Sequence, residues 1–474
     1  MKNTASARFV LFVGAIAALA LAVPSAASAE PVAGVVNLSN FSPTTSESSC
    51  ASSSIATNPV SGATVAAWAG LIAGPNLSAP LNAAVIGADG VAGPTATYQP
   101  ADAFLVADLG GACNPVSIDA GASGGFLLSW NSSNDSSVFG ILVSSAGAFI
   151  GGPFQISSNS NYADIETVTA AWSEAQSRYL VTWKANVASP FPAAIGLQQV
   201  VGRFVDGAGT PLGADFLVTD LFGQVDNSQD VAFGAGVWIA VGVNDGTGLV
   251  QTVTISSTGV VGPAVPVPSP SGSSTGPSII FNAALNQFMV VAKSGSTLWG
   301  QLLDATGAIS GAPFAIFTYP SSPPGRPRVA SLEADGWIVT WHSPSSLDVV
   351  AIEIDAAAAV VGTPEFLSSG VNSAAVENDF RPEVAFSPTT GQSYVLWSRY
   401  VAATDSTDVV VRAWGAAAVV PAGPALAATG LDGDRVTTLV GAVGALMTIG
   451  GLALAVSRRR ARIVGAHSTT VPSR

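Results

Sequence analysis

Short runs of alternating apolar and polar residues recur along the middle of the chain, and several end on tryptophan. Alternation with a period of two is typical of a β-strand that buries one face. The same kind of run occurs seven times, with ends 49 to 62 residues apart: Thr64 to Trp68, Phe126 to Trp130, Tyr179 to Trp183, Trp238 to Gly242, Phe288 to Ala292, Trp337 to Trp341 and Ser393 to Trp397. The pattern predicts one strand type repeated seven times.

A glycine-rich turn follows most of these strands. In the third repeat it contains Gly209 and Gly213, and glycine adopts positive φ without strain, so the pair predicts a tight hairpin between two further strands. A fourth short strand precedes each tryptophan strand. The equivalent glycines are Gly90 and Gly93, Gly147 and Gly151, Gly259 and Gly262, Gly307 and Gly311, and Gly362 alone.

Seven four-stranded repeats at this spacing predict an all-β, seven-bladed β-propeller over residues 30–416. The last repeat lacks a fourth strand after residues 409–414, whereas residues 30–39 match the fourth strand at 211–219. We therefore expect the N-terminal strand to pair beside the last repeat and close the ring, which removes exposed strand edges. The alternative, a linear stack, does not explain why each end carries part of one repeat.

The repeated tryptophans allow two interpretations. They could stack on a ligand, or they could pack between neighbouring sheets. Equivalent aromatic residues on a middle strand are more often core, so packing is favoured. The residues concerned are Trp68, Trp130, Trp183, Trp341 and Trp397, and Gly242 and Ala292 interrupt the row.

Composition supports a folded β-rich body. The chain has 474 residues, of which 48% are hydrophobic and 10% charged, and this excludes disorder as its main state. The 50 glycines and 30 prolines favour many short strands separated by turns. A net charge of −13 argues against a nucleic-acid or anionic-membrane partner, since both require a basic surface.

The N-terminal segment has the order of a secretory signal peptide. Lys2 and Arg8 come before an apolar run at residues 9–23, and the small residues 27–29 follow. Residues 1–29 are therefore expected to be removed on export. An uncleaved membrane anchor is the alternative, although the run is shorter than the roughly 20 residues that span a bilayer.

The C-terminal segment predicts a membrane span. Residues 436–456 form an uncharged run of spanning length, and the tail 457–474 follows. This basic tail indicates the cytoplasmic side, which places the body outside the cell. The tail begins with a cluster that contains Arg458, Arg459, Arg460 and Arg462.

A short motif lies before this span, in the predicted linker 417–435. It consists of Leu426, Ala427, Ala428, Thr429 and Gly430. The order of pentapeptide, apolar span and basic tail resembles the cell-wall sorting signal of sortase substrates, in the Leu-Ala-x-Thr-Gly variant associated with the class E sortases of actinobacteria. The commoner pattern has proline where this chain has Ala427.

The resemblance implies cleavage between Thr429 and Gly430 and transfer of the new carboxyl end to the peptidoglycan precursor. Sortase and peptidoglycan are then the expected partners, and the protein is anchored to the cell wall. The alternative is a single-pass membrane protein in which the motif arose by chance. The body faces outward in both cases.

Cys50 and Cys113 stand at nearly corresponding positions before the first strands of repeats one and two. Neighbouring inner strands converge at the axis of a propeller, and disulfides persist outside the cell. We therefore predict a Cys50–Cys113 disulfide. Two free buried thiols are the alternative.

The sequence contains no convincing catalytic set. His467 lies in the predicted tail, and His342 stands beside a core tryptophan, where a structural role is more common. There is no zinc, calcium or phosphate-loop motif, and the Asp-box of sialidase-like propellers is not visible. We therefore assign no catalytic, metal-binding or cofactor-binding residue and expect no cofactor.

The long, dissimilar loops are expected to gather on one rim, which makes that rim the expected ligand face. Arg326 and Arg381 begin the first strands of repeats six and seven, and such a pair can receive a carboxylate or an acidic sugar. A salt bridge to Asp379 or Glu377 is the alternative. The loops run from Ala69 to Leu81, Lys184 to Gln199, Tyr319 to Gly325, Ser368 to Phe380 and Arg399 to Asp408.

Two functions remain open at this point. The favoured one is a non-catalytic cell-surface module for recognition or adhesion, which binds a glycan or a protein. The alternative is an extracellular polysaccharide hydrolase or lyase with carboxylates in the central channel. A cavity with paired carboxylates favours the enzyme, whereas a channel filled by side chains favours recognition.

Overall fold

The computed structural model describes most of the middle of the chain. The described residues are 35–39, 53–69, 80–99, 116–121, 124–132, 137–158, 162–163, 165, 167–187, 198–219, 229–244, 246–270, 272–344, 346, 348–368, 382–401 and 406–415. The predicted signal peptide, both cysteines, Arg381, the sorting motif and the predicted span lie outside these ranges. Among the described residues no helix is long and apolar enough to span a membrane.

The described residues form an all-β, seven-bladed propeller, which confirms the predicted architecture. A short strand, β1 (Val36–Asn37), comes first in the chain. Blade one contains β2 (Ser53–Thr57), β3 (Thr64–Ala69), β4 (Leu81–Ile86) and β5 (Ala96–Tyr98). Blade two contains β6 (Ser117–Ala120), β7 (Phe126–Ser132), β8 (Ser137–Val143) and β9 (Phe149–Gln155). Blade three contains β10 (Tyr162–Ala163), β11 (Val168–Ser173), β12 (Arg178–Val187), β13 (Gln198–Asp206) and β14 (Pro211–Thr219).

The remaining blades follow the same order. Blade four contains β15 (Asp230–Gly234), β16 (Val237–Asn244), β17 (Leu249–Ile255) and β18 (Val265–Pro266). Blade five contains β19 (Thr275–Asn282), β20 (Gln287–Ser294), β21 (Thr297–Asp304) and β22 (Ile309–Thr318). Blade six contains β23 (Arg328–Ser331), β24 (Trp337–His342), β25 (Val349–Ile354) and β26 (Val360–Phe366), with a 3-10 turn at Glu333–Asp335. Blade seven contains β27 (Glu383–Ser387), β28 (Gln392–Val401) and β29 (Ser406–Trp414).

Each blade is an antiparallel sheet whose strands follow one another from the axis outward. Blade three carries one extra two-residue strand, β10, which pairs with β12 and was not predicted. The first strands of successive blades contact each other from β2 through β6, β11, β15, β19 and β23 to β27, and β27 contacts β2. These seven inner strands therefore surround a common axis.

The short strand β1 lies at the outer edge of blade seven. Val36 pairs with Val411, and Asn37 pairs with Val410. The pairing extends beyond the strand, because the Leu38 N–H donates to the Val409 carbonyl at 2.8 Å. Blade seven thereby has four strands, as do all the other blades except blade three.

The tryptophan row packs between blades, as predicted. All five side chains are 2% exposed or less, so none is open to a ligand. One of the two positions without a tryptophan, Ala292, has a tryptophan beside it. Ala292 pairs with Trp299 on the neighbouring strand, and Trp299 is fully buried. An indole thus occupies the core of blade five from a different strand.

The predicted glycine turns adopt the expected backbone. Gly209 has φ of 84° and Gly213 has φ of 65°. An aspartate begins this turn in several blades, and Asp206 Oδ1 accepts the N–H groups of Ala208 and Thr210 at 2.9 and 2.7 Å. The second glycine lies at a register shift between the third and fourth strands. These turns bring the third and fourth strands together on one side of each blade.

Candidate functional site in the central channel

A cavity of about 140 Å³ lies where the seven inner strands converge. Residues from every inner strand line it. The cavity is smaller than the roughly 300–1,000 Å³ of sites that enclose small organic ligands. It has room for several water molecules, since one water needs roughly 10–15 Å³ of such space.

Seven structurally equivalent residues, one from each blade, form a polar girdle around this cavity. Each of them lies on the first strand of its blade and pairs with a residue on the second strand, the one just before the tryptophan or its equivalent. Ser117, for example, pairs with Ser129, which precedes Trp130. The girdle consists of Ser54, Ser117, Thr169, Asp230, Ser278, Arg328 and Glu383, and all seven line the cavity.

Several girdle residues connect one blade to the next. Arg328 Nε donates to Glu383 Oε1 at 2.7 Å, which joins blades six and seven. Asp230 Oδ2 accepts the Ser278 hydroxyl at 2.8 Å and the Ile279 N–H at 3.1 Å, which joins blades four and five. These contacts satisfy polar groups that would otherwise be costly to enclose.

Other hydrogen bonds continue this connection around the axis. The N–H of Ile118 in blade two donates to Ser54 Oγ of blade one at 3.3 Å. Thr169 Oγ1 lies 3.0 Å from Thr182 Oγ1 within blade three. The Thr182 hydroxyl then donates to Gln229 Oε1, just before blade four, at 3.0 Å. The girdle and its neighbours therefore link successive blades as well as lining the cavity.

A second layer lies two residues further along each inner strand, and side chains two apart in a strand point to the same side. Small apolar residues dominate this layer. It contains one charged residue, Asp119, which also lines the cavity. The layer consists of Ala56, Asp119, Ala171, Ala232, Ile280, Ala330 and Ala385.

The Asp119 carboxyl is enclosed and only partly paired. It accepts hydrogen bonds from the backbone N–H groups of Trp172 and Ala120. Its Oδ2 is buried beyond the reach of a water molecule and has no hydrogen-bond partner within the described part of the chain. Removal from water raises the pKa of Asp119 to about 8, and the nearby carboxylate of Asp230 adds to the increase.

Enclosure also raises the pKa of Asp230, although Arg328 and the hydrogen bonds from Ile279 and Ser278 oppose the change. The hydroxyl of Tyr179 lies beside Asp119, and burial together with that carboxylate raises the pKa of Tyr179. The cavity is therefore lined by three carboxyl groups and one guanidinium among the described residues. The raised pKa values of Asp119 and Asp230 mean that the cavity favours the protonated, neutral form of both carboxyl groups.

Of the two arginines predicted to form an anion-binding pair, one lies within the described residues. Arg326 lies on the approach to β23 and packs beside Gly276, where an added Cβ would stand 3.0 Å from Arg326 Cγ. Arg326 is not among the residues that line the cavity. Arg381 lies outside the described residues, so the expectation that the two share a site stays a prediction.

The other candidates have structural positions. His342 ends β24, and its carbonyl accepts the N–H of Gly325 at 2.8 Å. Within the described ranges no three His, Cys, Asp or Glu residues are grouped so that they could hold a metal ion. Of the five predicted loops, only the one from Tyr319 to Gly325 lies wholly within the described residues.

The girdle and Asp119 were not predicted from the sequence. Arg328 and Glu383 stand two residues after Arg326 and Arg381, so the predicted pair is close in sequence to two girdle residues. A usable signal was present. When the seven tryptophan strands are aligned with one another, the residue before each tryptophan marks one position. Antiparallel pairing then fixes which residue of the inner strand lies opposite that position.

Several solved structures superpose on this chain with TM-scores below 0.5. No protein-family model matches this sequence, and no curated relative does either. A protein of unknown function from Dyadobacter fermentans superposes with a TM-score of 0.45 and 10% identity, over 81% of this chain and 99% of that one. The hydrazine synthase of Kuenenia stuttgartiensis gives 0.44 and 8%, over 75% and 94%. The NanB sialidase of Streptococcus pneumoniae gives 0.42 and 9%, over 83% and 71%.

Proposed function

We propose that this protein is an exported, wall-anchored propeller that recognises a glycan or a protein at the cell surface without catalysing a reaction. The leader-like residues 1–29, the motif 426–430 and the apolar run 436–456 support the location. In this proposal a sortase joins Thr429 to peptidoglycan, and the propeller stands outside the cell. Retention in the membrane through residues 436–456 leaves the propeller on the same side.

The size of the channel carries the proposal. A cavity of about 140 Å³ does not accommodate a polysaccharide, whose single sugar units need sites of the usual ligand size. Glu383 and Asp230 are engaged by groups of neighbouring blades, so neither is poised to attack a substrate. Binding of a large ligand therefore falls to the rim of the propeller.

The rim with the variable connections is the proposed binding face. Connections between the second and third strands of a blade differ widely in length, from residues 295–296 in blade five to residues 70–80 in blade one. Hairpins on the opposite side share one short turn. Variable loops on a rigid scaffold are the usual carriers of recognition.

Pairing of β1 with β29 is proposed to close the ring and to hold this scaffold rigid. The bond from Asn37 Nδ2 to Asp408 Oδ2, at 2.8 Å, supports the pairing beyond the backbone. Val409 N–H also donates to Ser39 Oγ at 2.6 Å. In this arrangement β1 covers the long outer edge of β29, which could otherwise pair with other chains.

A binding assay tests the function. Residues 30–421 are incubated with purified cell-wall and plant polysaccharides, and both retention of the protein and release of soluble products are measured. We expect retention on at least one polysaccharide with no product. Product release that requires the protein would contradict the proposal.

Arg326 and Arg381 provide the sharper test. Replacing both with alanine is expected to weaken binding to an acidic glycan about tenfold or more, because charge-assisted hydrogen bonds contribute roughly 1.5–3 kcal/mol. Arg178→Ala is the matched control, since Arg178 begins β12 beside a short hairpin and donates to the Ser257 carbonyl. Unchanged binding by the double variant on a glycan array would remove these arginines from the site.

One observation favours the enzymatic alternative. Asp119 and Asp230 line the same cavity, and a pKa of about 8 keeps Asp119 protonated at neutral pH, as a general acid must be. If products are released in the assay above, Asp119→Asn and Asp230→Asn should each abolish release. Activity that survives both changes would place the reaction elsewhere.

A further inference from the structure

The two lysines and the one histidine of residues 30–416 stand at one position of the repeat, directly after the tryptophan or its equivalent. They are Lys184, Lys293 and His342, in blades three, five and six. This position lies towards the end of the second strand, on the rim with the variable connections. Lys184 is 1% exposed, whereas Lys293 is half-buried, so of the two lysines Lys293 is the one that a ligand at this rim can reach.

Lys293 crosses from blade five to the chain that enters blade six. Its Nζ donates to the Pro324 carbonyl at 3.0 Å, and Arg326, which is also half-buried, follows two residues later. Thr275 pairs with Lys293. The next residue, Gly276, packs against Arg326, since an added Cβ there would stand 3.0 Å from Arg326 Cγ. Lys293 and Arg326 therefore lie at the same junction, the one between blades five and six.

An aromatic side chain lies on the same side of blade five as Lys293. Lys293 pairs with Leu298, and Leu298 pairs with Phe317, so these side chains point to one face of the sheet. The backbones of Lys293 and Phe317 are two strand spacings apart, roughly 10 Å. Phe317 is half-buried, and its ring centroid lies 4.9 Å from that of Tyr319 and 6.1 Å from that of Trp341 in blade six. The junction thus combines two cations with an accessible aromatic ring.

The connection between these blades, residues 319–327, is held in place at both ends. The Tyr319 N–H donates to the Ser296 carbonyl at 2.9 Å, and the Tyr319 hydroxyl accepts the indole N–H of Trp341 at 2.8 Å. At the other end the Gly325 N–H donates to the His342 carbonyl at 2.8 Å. A ligand therefore meets a surface whose shape is set before binding, which lowers the entropy cost of binding.

The charge of this junction is opposite to that of the whole chain. The chain has a net charge of −13, yet Lys293 and Arg326 bring two positive charges to this part of the rim. Asp348, on the next connection of blade six, is buried and accepts the Ser368 hydroxyl at 3.2 Å. A local positive field on an acidic protein favours an anionic group at this place.

We propose that the junction of blades five and six binds an acidic sugar, a hexuronate, with its carboxylate at Lys293 and Arg326 and its apolar face on Phe317. The carboxylate gains charge-assisted hydrogen bonds from both cations. An apolar ring beside a few polar groups is the usual composition of a small-ligand site. The inference rests on the proposed recognition function, since it assigns the class of glycan and the part of the rim that binds it.

The test compares two forms of one ligand, an oligogalacturonate and the same oligosaccharide with its carboxyl groups methyl-esterified. Titration calorimetry with the full chain measures both affinities. We expect the acid form to bind at least tenfold more tightly at low salt, with an advantage that shrinks as salt screens the charges. Equal affinities would overturn the proposal. Equally tight binding of an oligoglutamate of the same charge would also overturn it, because it would show attraction of anions in general.

A variant assigns the effect to the junction. Lys293→Met removes the charge and keeps most of the apolar stem, so it should weaken binding of the acid form about tenfold and leave binding of the ester unchanged. Arg178→Ala removes a cation from another junction and should change neither affinity. Equal losses for both ligands would show that Lys293 only holds the connection in place through Pro324. If Lys293→Met fails to fold, Arg326→Gln is measured in the same way, and a full preference for the acid form in that variant would contradict the assignment.

Failure of this inference is distinct from failure of the recognition function. Retention on a neutral polysaccharide without any preference for the acid form would remove the acidic-sugar site and leave the recognition function standing. Release of soluble products would contradict the non-catalytic function itself, on which the inference rests.

Discussion

Asp119 places a carboxyl group in a layer of the channel that is otherwise alanine and isoleucine. Enclosure raises its pKa from 3.8 to about 8. The folded state therefore holds the proton more tightly than the unfolded state between these values. In this window the free energy of unfolding falls as pH rises, by up to about 1.4 kcal/mol per pH unit, and it levels off above about pH 8.

Asp119→Asn should remove this dependence. We expect the variant to be more stable than the original chain at pH 8 by roughly 1–4 kcal/mol, with the difference shrinking towards pH 4. Urea denaturation at several pH values measures it. Parallel pH profiles for the two proteins would show that Asp119 is not the group responsible. Asp335→Asn provides the control for charge removal at the surface.

At this scale the sequence predicted core residues better than channel residues. A tryptophan in an alternating run is a strong marker of burial, and all five of the predicted row are buried. Asp119 has no such marker, since an isolated aspartate between Ile118 and Ala120 is equally typical of a turn. Its surroundings are formed by the inner strands of all seven blades, most of which are distant from it in sequence.

The hairpin between the third and fourth strands is the most regular element of the blades. Its glycine has positive φ in five blades, and in blade six Ala358 takes that place with φ of 64°. A side chain at positive φ costs roughly 1–2 kcal/mol because its Cβ approaches the following carbonyl. Asp355 Oδ1 still accepts the N–H groups of Ala357 and Ala359, so the turn forms in spite of the strain.

Ala358→Gly should therefore stabilise the protein by about 1 kcal/mol. The matched control is Ala357→Gly one residue earlier, where φ is not positive and added chain entropy should cost up to about 1 kcal/mol. Thermal or urea unfolding measures both. Equal effects of the two changes would mean that backbone strain at Ala358 is negligible.

Sequence patterns located nearly all of these elements because turns and strands are encoded locally. Each predicted tryptophan strand exists, with bounds that differ by a few residues. Strand β10 was missed because two residues carry no periodic signal. Trp299 was missed as a core residue because its equivalence to the tryptophan row depends on pairing with Ala292, which local sequence does not show.

For the whole molecule, the pairing of β1 with β29 joins residues about 375 positions apart. Deleting residues 30–39 should lower the free energy of unfolding by at least about 2 kcal/mol and promote association, because it removes ladder hydrogen bonds and exposes an edge. A synthetic peptide of residues 30–39 should restore stability by adding a strand. The measurement is thermal unfolding with and without peptide.

The control peptide carries Leu38→Pro, which removes the N–H that donates to Val409. It should restore much less stability. Full rescue by this peptide, or no loss on deletion, would show that the N-terminal strand does not hold the ring together.

The whole-molecule architecture followed from counting repeats, whereas the channel did not. The spacing between repeats gives the number of blades, because the strands of a blade lie close together in the sequence. The chemistry of the channel depends on register at seven separate places and on residues that differ from blade to blade. Arg328 and Glu383 form an ion pair because blades six and seven lie side by side in the folded propeller.

The polar girdle makes the blades unequal in spite of their common shape. Blades four and five meet through a carboxylate and a hydroxyl, whereas blades six and seven meet through a guanidinium and a carboxylate. A copy of one blade inserted at another position would meet a junction whose donors and acceptors do not match its own. Evolution of such a chain by shuffling or duplicating single blades is therefore restricted. The polar contacts around the channel fix the order of the blades.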